Sequence, residues 1–231
     1  MVPVVLVPGM LCDERLFGPQ MRAFGSLTAL SVADVTQDDT ITGMAQRVLS
    51  NSPDQPFLLA GLSLGGIVAM EVLRLAPSRI ARLALIATNH LPAMPGFIAT
   101  RTEQIARVRR GALRDIVVEE LKGHYFSPRH AGNQPLRDLV VDMAMDCGAS
   151  AFERQARALM ARRDQSDTLA GCRRPTLLVA GEDDRLCPVA NHQAMQRLMP
   201  QAELAVIEGA GHLVTLEAPE AATALLQRWA R

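Results

Sequence analysis

The sequence predicts an α/β protein in which helices cover both faces of a mostly parallel β-sheet. Short, continuously apolar segments with strand character alternate with amphipathic helical patterns up to about residue 90, and the alternation resumes near residue 175. Continuously apolar strands are typical of parallel sheets that are buried on both faces. Parallel neighbours also need long crossover connections, which the intervening helices provide. At 231 residues, the chain has the length of one sizeable domain.

The first part of the predicted core contains four strands separated by three helices. Apolar runs place the strands at Val2–Val7, Leu27–Val32, Phe57–Ala60 and Ile80–Ala87. Helical periodicity places the helices at Pro19–Phe24, Ile41–Leu49 and Ile67–Leu75. Thr40 is a candidate N-cap for the second helix, because a threonine oxygen can accept a hydrogen bond from the first helical turn.

The segment between residues 91 and 174 has no strand pattern. Four amphipathic helices are predicted there, at Ile98–Arg110, Leu113–His124, Pro135–Cys147 and Ala151–Arg163. Glycine and proline signals separate them, including Gly148 between the last two. The sequence therefore predicts a core formed by residues 1–90 and 175–231, with residues 91–174 as an inserted helical cap. The cap has a surplus of basic residues, which is typical of a solvated face and does not by itself support a preference for anionic substrates.

The sheet pattern resumes after the cap with two more strands and two helices. The strands are predicted at Pro175–Ala180 and Glu203–Ile207, and the helices at Pro188–Met199 and Leu216–Trp229. Proline is common in the first turn of a helix, which suits Pro188 at the start of the first of these two helices. Both strands are followed by loops rich in small or acidic residues.

Composition excludes several classes of protein. The 24 basic and 24 acidic residues cancel, so neither a nucleic acid nor an anionic membrane is an expected partner. The four cysteines are widely spaced, which argues against a zinc site and a disulfide framework. No apolar run reaches membrane-spanning length, and the N-terminus lacks the charged region of a signal peptide. We therefore expect a cytoplasmic protein with reduced thiols.

The turn after the first predicted strand argues against a dinucleotide cofactor. Val7 is followed by Pro8, Gly9 and Met10, which does not match the Gly-x-Gly-x-x-Gly fingerprint of a dinucleotide-binding turn. We expect no cofactor and no metal ion.

The strongest chemical signal lies in the segment 57–75, where Gly61, Ser63 and Gly65 fall between a predicted strand and helix. This is the setting of a Gly-x-Ser-x-Gly nucleophile elbow. Glycine is needed beside the serine because the turn leaves no room for side chains. The backbone N–H of Leu64, at the helix N-terminus, would face an oxyanion formed beside Ser63. By itself, the pattern also fits a glycine-rich turn that happens to contain a serine.

A serine nucleophile needs a histidine base and a carboxylate that orients it. His212 follows the last predicted strand in a loop of small residues, and without the other two groups it would be interpreted as a surface-loop histidine. Glu182, Asp183 and Asp184 follow the preceding strand, and the residues leave open which of them is the acid. Because loops after parallel strands gather at one edge of the sheet, we expect these groups to meet Ser63 there.

Taken jointly, three motifs resemble the α/β-hydrolase fold family, in its capped, short-chain esterase and lactonase branch. They are Gly61-Leu-Ser63-Leu-Gly65-Gly66, Gly181-Glu-Asp-Asp184-Arg-Leu-Cys-Pro188 and Gly209-Ala-Gly-His212. The resemblance implies that Asp184 is the acid, because relatives place it three residues after the glycine and four before the proline of the middle motif. It also implies that the N–H of Met10 is a second oxyanion donor beside that of Leu64.

Two features depart from the family pattern. Pro8 stands where relatives usually have histidine before the glycine of the oxyanion loop. The first strand corresponds to the third strand of larger relatives, so a sheet of about six parallel strands is expected. The predicted cap matches the family only by its position in the chain.

The resulting hypothesis is a serine hydrolase that cleaves a small carboxylic ester through an acyl-enzyme, with Ser63, His212 and Asp184 as its catalytic triad. Lactonase, thioesterase, carbon–carbon bond hydrolase and cofactor-free haloperoxidase activities use the same triad and stay open. A non-catalytic receptor for a small ligand is less favoured, because such proteins often lose a triad member. The candidate substrate-binding residues are Leu11, His90, Tyr125 and Phe126.

Overall fold

Six parallel strands form the central sheet in a computed structural model that describes residues 2–25, 29–121 and 124–231. The strands are β1 (Val4–Val7), β2 (Leu30–Val32), β3 (Phe57–Leu62), β4 (Ile80–Ile86), β5 (Thr176–Gly181) and β6 (Glu203–Ile207). Their order across the sheet is β2-β1-β3-β4-β5-β6, and every neighbouring pair is parallel. The prediction of a parallel sheet of about six strands is confirmed.

Burial along the strands explains why they read as continuous apolar runs. All residues of β1, β3 and β5 are buried, whereas the edge strands β2 and β6 are partly exposed. Helices on both faces remove the inner strands from water, so alternation between polar and apolar residues is lost there. The predicted second strand began at Leu27, which lies outside the described residues; β2 begins at Leu30.

Three helices of the first core segment follow the predicted periodicity. They are α1 (Gly18–Phe24), α2 (Ile41–Asn51) and α3 (Leu64–Leu75). The Thr40 side chain accepts a 3.0 Å hydrogen bond from the N–H of Gly43, so it caps α2 as predicted. Helix α3 begins directly after Ser63. All of its residues from Leu64 to Leu73 are buried, so the helix lies deep in the core.

The segment between β4 and β5 contains helices and no strand in the part that the structure describes. These helices are α4 (Pro95–Val108), α5 (Leu113–Asp115), α6 (Gln134–Met160) and α7 (Ser166–Ala170). A π-helical turn, Ile116–Leu121, continues α5. The predicted second helix ran to His124 across residues 122 and 123, which lie outside the described residues. Gly148 breaks α6 with φ 81° and ψ 173°, at the position where two helices were predicted to separate.

The prediction of one C-terminal helix from Leu216 to Trp229 was wrong, because two helices occupy this region after α8 (Val189–Leu198). They are α9 (Val214–Glu217) and α10 (Pro219–Trp229). Ala218 between them has φ −134° and ψ 63°. Its conformation follows from Pro219, since proline disfavours helical geometry at the preceding residue. The indole Nε1–H of Trp229 then donates a 3.0 Å hydrogen bond to the carbonyl of Leu83, which fixes α10 against β4.

Within the described residues, none of the helices combines the length and the apolar character needed to cross a bilayer. Helix α6 has the length, but polar and charged residues recur along it.

Candidate active site

Ser63 occupies a strained turn between β3 and α3. Its φ of 57° and ψ of −116° are unusual for a residue with a side chain, and such strain is often found at functional positions. A Cβ atom at Gly65 would lie 1.9 Å from the carbonyl oxygen of Val7, and one at Gly61 would lie 2.2 Å from that of Gly65. Only glycine therefore allows the turn to pack against β1.

Hydrogen bonds from the neighbouring strand hold this turn in place. The N–H of Ser63 donates to the carbonyl of Ile86 at 2.9 Å, and the hydroxyl of Thr88 donates to the carbonyl of Ser63 at 2.8 Å. Thr88 is fully buried in the loop after β4. The strained conformation is therefore fixed by hydrogen bonds to both the N–H and the C=O of Ser63.

Ser63, His212 and Asp184 form one hydrogen-bonded row at the C-terminal edge of the sheet. The Nε2 atom of His212 lies 2.9 Å from Oγ of Ser63, and its Nδ1 atom lies 2.8 Å from Oδ2 of Asp184. The three residues come from the loops after β3, β5 and β6. His212 and Asp184 are only 3% and 4% exposed, so water has little access to the bond between them.

The carboxylate of Asp184 is held in its ionised form. Burial opposes ionisation, but the hydrogen bond and charge of His212, together with the backbone hydrogen bonds from Cys187 and Leu186, outweigh burial and keep the pKa of Asp184 below its ordinary value. Its second oxygen, Oδ1, accepts hydrogen bonds from the N–H groups of Leu186 and Cys187 at 2.8 and 2.9 Å. These two bonds also set the direction in which the carboxylate points.

The other two acidic residues of this loop have different positions. Glu182 is exposed and accepts a 3.0 Å hydrogen bond from the N–H of Gly209, at the start of the histidine loop. The backbone N–H of Asp183 donates to the carbonyl of Ala210 at 2.9 Å. Both residues therefore tie the loop after β5 to the loop after β6, while Asp184 alone of the three contacts His212.

Glu217 on α9 holds the histidine loop, a role that no sequence motif predicted. Its Oε2 atom accepts hydrogen bonds from the N–H groups of Ser127 at 2.8 Å and Gly211 at 3.1 Å, and its Oε1 atom accepts one from Leu213 at 3.0 Å. The carboxylate is buried. It therefore braces the backbone on both sides of His212 and joins it to the segment between β4 and β5. The sequence shows only a glutamate five residues after the histidine, and its burial is not visible there.

The segment from Tyr125 to Ser127 also contacts the histidine directly. The N–H of His212 donates to the carbonyl of Tyr125 at 2.8 Å, and the two rings are 5.0 Å apart at an angle of 60°. A Cβ atom at Gly211 would lie 2.6 Å from that carbonyl oxygen. Glycine at this position therefore permits the inserted segment to reach the imidazole.

The loop after β1 contains the predicted oxyanion donor Met10. Next to it, Leu11 has a positive φ of 53°, and its N–H donates a 2.9 Å hydrogen bond to Oε1 of Gln155. Gln155 is fully buried on α6, and its amide Nε2 donates to the carbonyl of Val35 at 3.1 Å. The glutamine thus shapes the loop from the inserted segment, a contact between positions 144 residues apart that no sequence pattern signals.

A cavity of about 160 Å³ opens beside Ser63. Its lining includes both predicted oxyanion residues, Met10 and Leu64, together with Tyr125 and His212. Leu64 is the first residue of α3, and the first N–H groups of a helix have no partner within the helix. The role of Met10 and Leu64 as oxyanion donors stays a prediction.

Three predicted substrate-binding residues do not line this cavity. Leu11 is fully buried, and its backbone N–H is bonded to Gln155. His90 is buried, and burial lowers the pKa of its imidazole; Thr88 and Asn89 of the same loop line the cavity instead. Phe126 borders a separate surface recess with Arg137, whose guanidinium lies 5.9 Å from the ring.

Among the described residues, one group of side chains has the spacing of metal ligands: Asp184, Cys187 and His212. The first and last of these are already hydrogen-bonded to each other. Burial raises the pKa of the Cys187 thiol to about 12, so its sulfur stays protonated at neutral pH, whereas a metal requires a thiolate. The donor set therefore suits the serine–histidine–aspartate row better than a metal ion.

The fold and the site together define a class of protein. A serine at a strand-to-helix elbow, bonded through histidine to an aspartate at the C-terminal edge of a parallel sheet, is the arrangement found in serine hydrolases of α/β type. The chain belongs to the alpha/beta hydrolase family, whose family model matches residues 4–225.

Named relatives extend over most of the chain. The pimeloyl-(acyl-carrier protein) methyl ester esterase of Aromatoleum aromaticum is 27% identical over 237 residues, covering 96% of this chain and 90% of that protein. The dihydrolipoyllysine-residue acetyltransferase component of the acetoin cleaving system of Pseudomonas putida is 29% identical over 92% of this chain, which spans only 55% of that protein. A solved structure of a thermophilic esterase from Thermogutta terrifontis, with malate bound, has a TM-score of 0.90 at 26% identity and covers 99% of this chain and 89% of that chain.

Proposed function

We propose that this protein is a serine hydrolase that cleaves a small carboxylic ester by acyl transfer to water. One observation carries the proposal: His212 is hydrogen-bonded to Ser63 through one ring nitrogen and to Asp184 through the other. A serine hydroxyl is a weak nucleophile at neutral pH unless a base removes its proton. The esterase names of the Aromatoleum relative and the Thermogutta structure support an ester as the substrate.

In the acylation step, Oγ of Ser63 attacks the ester carbonyl while Nε2 of His212 accepts the hydroxyl proton. The negative charge that forms on the carbonyl oxygen is stabilised by the backbone N–H groups of Met10 and Leu64, which line the cavity beside the serine. His212 then gives its proton to the departing alcohol, which leaves an acyl group on Ser63.

In the deacylation step, His212 removes a proton from water, which attacks the acyl-enzyme. The acid leaves, and the proton returns to Oγ of Ser63. Asp184 accepts the hydrogen bond from Nδ1 throughout, so it fixes the imidazole tautomer and stabilises the imidazolium that forms in each step. Its lowered pKa keeps it ionised for this purpose.

The size of the cavity favours a small substrate. Its volume of about 160 Å³ is below the range of roughly 300–1,000 Å³ that is typical of sites for drug-sized ligands. Lactones, acyl thioesters and activated carbon–carbon bonds would use the same first step, and we regard them as variants of this activity.

The Ser63→Ala variant tests the proposal. We expect it to lose hydrolysis of p-nitrophenyl acetate by at least about a thousandfold, because removal of a triad member abolishes acyl-enzyme formation. A fluorophosphonate probe should label the wild-type protein and neither Ser63→Ala nor His212→Ala. The matched control is Ser78→Ala, at an exposed serine before β4. Wild-type turnover in Ser63→Ala with an unchanged circular dichroism spectrum would refute the serine mechanism.

A further inference from the structure

Two arginines of the inserted segment line the cavity beside Ser63. Arg101 is on α4 and is only 8% exposed, and Arg162 follows α6 and is half-buried. Each guanidinium centre lies 5.0 Å from the centroid of the Phe97 ring, which also lines the cavity. One aromatic ring therefore holds two positive charges close to the site where the substrate would bind.

Neither arginine has an acidic partner among the described residues. Nη1 of Arg101 donates to the neutral amide of Gln104 at 2.7 Å, and its buried Nε atom has no hydrogen-bond partner in the described chain. Arg162 donates to the backbone carbonyls of Leu91 and Leu159 at 3.0 and 3.1 Å. No carboxylate of the described residues forms an ion pair with either side chain.

No carboxylate of the described residues neutralises the two charges by direct pairing. Burial lowers the pKa of both guanidinium groups, and their mutual repulsion lowers that of Arg162 further. Glu120 acts on Arg101 from a distance, but it is ion-paired with Arg107. An arginine stays charged at neutral pH, so the cavity contains two positive charges, and none of the described residues that line it is acidic. Buried charges are costly unless they are paired.

We propose that the substrate carries a carboxylate group that Arg101 and Arg162 bind. A guanidinium presents its N–H donors in a planar fork that matches the two oxygens of a carboxylate, and the pairing is strongest where water is excluded. The substrate class is therefore the small anionic esters: half-esters of dicarboxylic acids, or acyl esters of hydroxy acids. This inference rests on the proposed esterase function, because it names which esters the Ser63 site accepts.

Matched substrate pairs test which half of the ester carries the charge. For the acyl half, monomethyl glutarate and monomethyl adipate are compared with methyl pentanoate and methyl hexanoate, with acid release followed in a pH-stat. For the alcohol half, 4-acetoxybutanoate is compared with butyl acetate. We expect kcat/KM to favour the anionic member by at least about tenfold in one of the two arms, since a charge-assisted hydrogen bond contributes about that factor.

The arginine variants separate substrate recognition from packing. In Arg101→Met combined with Arg162→Met, the ratio of kcat/KM between the anionic and the neutral substrate should fall close to one. Arg101→Lys should retain part of this preference, because the positive charge stays but the planar set of N–H donors is lost. The matched control is Arg110→Met combined with Arg163→Met, which removes two exposed charges from the same segment. The ratio between paired substrates is insensitive to general loss of folded protein, which a packing role alone would cause.

A binding measurement keeps the test decisive if no ester is hydrolysed. Ser63→Ala is titrated calorimetrically with monomethyl adipate and with methyl hexanoate, and only the anionic compound should bind. Hydrolysis of neutral esters with no anionic preference in either arm, or an anionic preference that survives the double arginine substitution, would overturn the inference and leave the proposed function intact. Loss of all ester hydrolysis with retained carboxylate binding would instead count against the proposed function alone.

Discussion

At the scale of single residues, the site depends on positions where a side chain cannot be accommodated. Gly65 allows the backbone of the Ser63 turn to pass within contact of β1, and Gly61 allows the end of β3 to lie against the first turn of α3. Gly211 allows Tyr125 to reach the histidine loop. In each case the glycine matters for the space that it leaves free. Helix and strand propensities alone would disfavour these glycines.

Gly65→Ala should therefore damage both stability and activity. The added Cβ would lie 1.9 Å from the carbonyl oxygen of Val7, so β1 or the elbow must move, at a cost of about 3 kcal/mol or more. We expect a lower urea midpoint and a large loss of p-nitrophenyl acetate hydrolysis. Gly96→Ala is the control, since nothing lies within 4 Å of a Cβ there. Equal stability of the two variants would contradict the packing argument.

Glu217 provides a second prediction at this scale. In Glu217→Gln, the amide nitrogen cannot accept a hydrogen bond, so at least one of the N–H groups of Ser127, Gly211 and Leu213 loses its partner. A buried donor without a partner costs about 1–3 kcal/mol.

We expect the Glu217→Gln substitution to lower kcat more than it raises KM, because the loop that positions His212 loosens while the cavity walls stay in place. Steady-state kinetics measure this split, and chemical denaturation measures the loss of stability. Glu220→Gln, at an exposed residue of α10, is the matched control. A change in KM alone would show that Glu217 does not position the histidine.

At the scale of secondary-structure elements, buried polar side chains join the inserted helices to the core. Gln155 connects α6 to the loop after β1, and Glu71 on α3 connects three elements. Glu71 is ion-paired with Arg74 at 2.7 Å and accepts hydrogen bonds from Thr42 at 2.6 Å and Gln165 at 2.8 Å. Its pairing therefore fixes α3, the helix that begins beside Ser63, against α2 and the segment before α7.

This network predicts how stability depends on pH. The hydrogen bond from Arg74 outweighs burial and, with those from Thr42 and Gln165, lowers the pKa of Glu71 from 4.5 to about 2. A lowered carboxyl pKa stabilises the folded state above the pKa of the unfolded chain, and this contribution is lost as the pH falls toward the folded value. The lowered pKa of Glu71 corresponds to a contribution of about 3 kcal/mol to the free energy of unfolding at neutral pH.

The Glu71→Gln variant should therefore be less stable than the wild type at pH 7, and the difference should shrink between pH 4.5 and about 2. Urea unfolding followed by circular dichroism across this range gives the comparison. Glu103→Gln, at an exposed glutamate of α4, controls for the loss of one negative charge. A difference that is constant with pH would rule out ionised Glu71 as its source.

At the scale of the whole molecule, the parallel sheet brings distant segments to one edge. Ser63, Asp184 and His212 follow β3, β5 and β6, and the carboxyl ends of parallel strands share one side of the sheet. The contact between Ser63 and His212 joins positions 149 residues apart. The sequence order of strands and loops was enough to predict this meeting, because topology determines which loops are neighbours.

The sequence by itself determined the alternation of strands and helices, the elbow at Ser63 and the loops that contain Asp184 and His212. Those features depend on local period and on turn chemistry, which a single sequence displays directly. Only the tertiary structure decided that Glu217 braces the histidine loop, that Gln155 holds the loop after β1 and that Arg101 and Arg162 line the cavity. It also decided that Leu11, His90 and Phe126 do not line the cavity. The path of the inserted helices over the sheet produces these contacts, and packing between segments far apart in the chain has no local sequence signature.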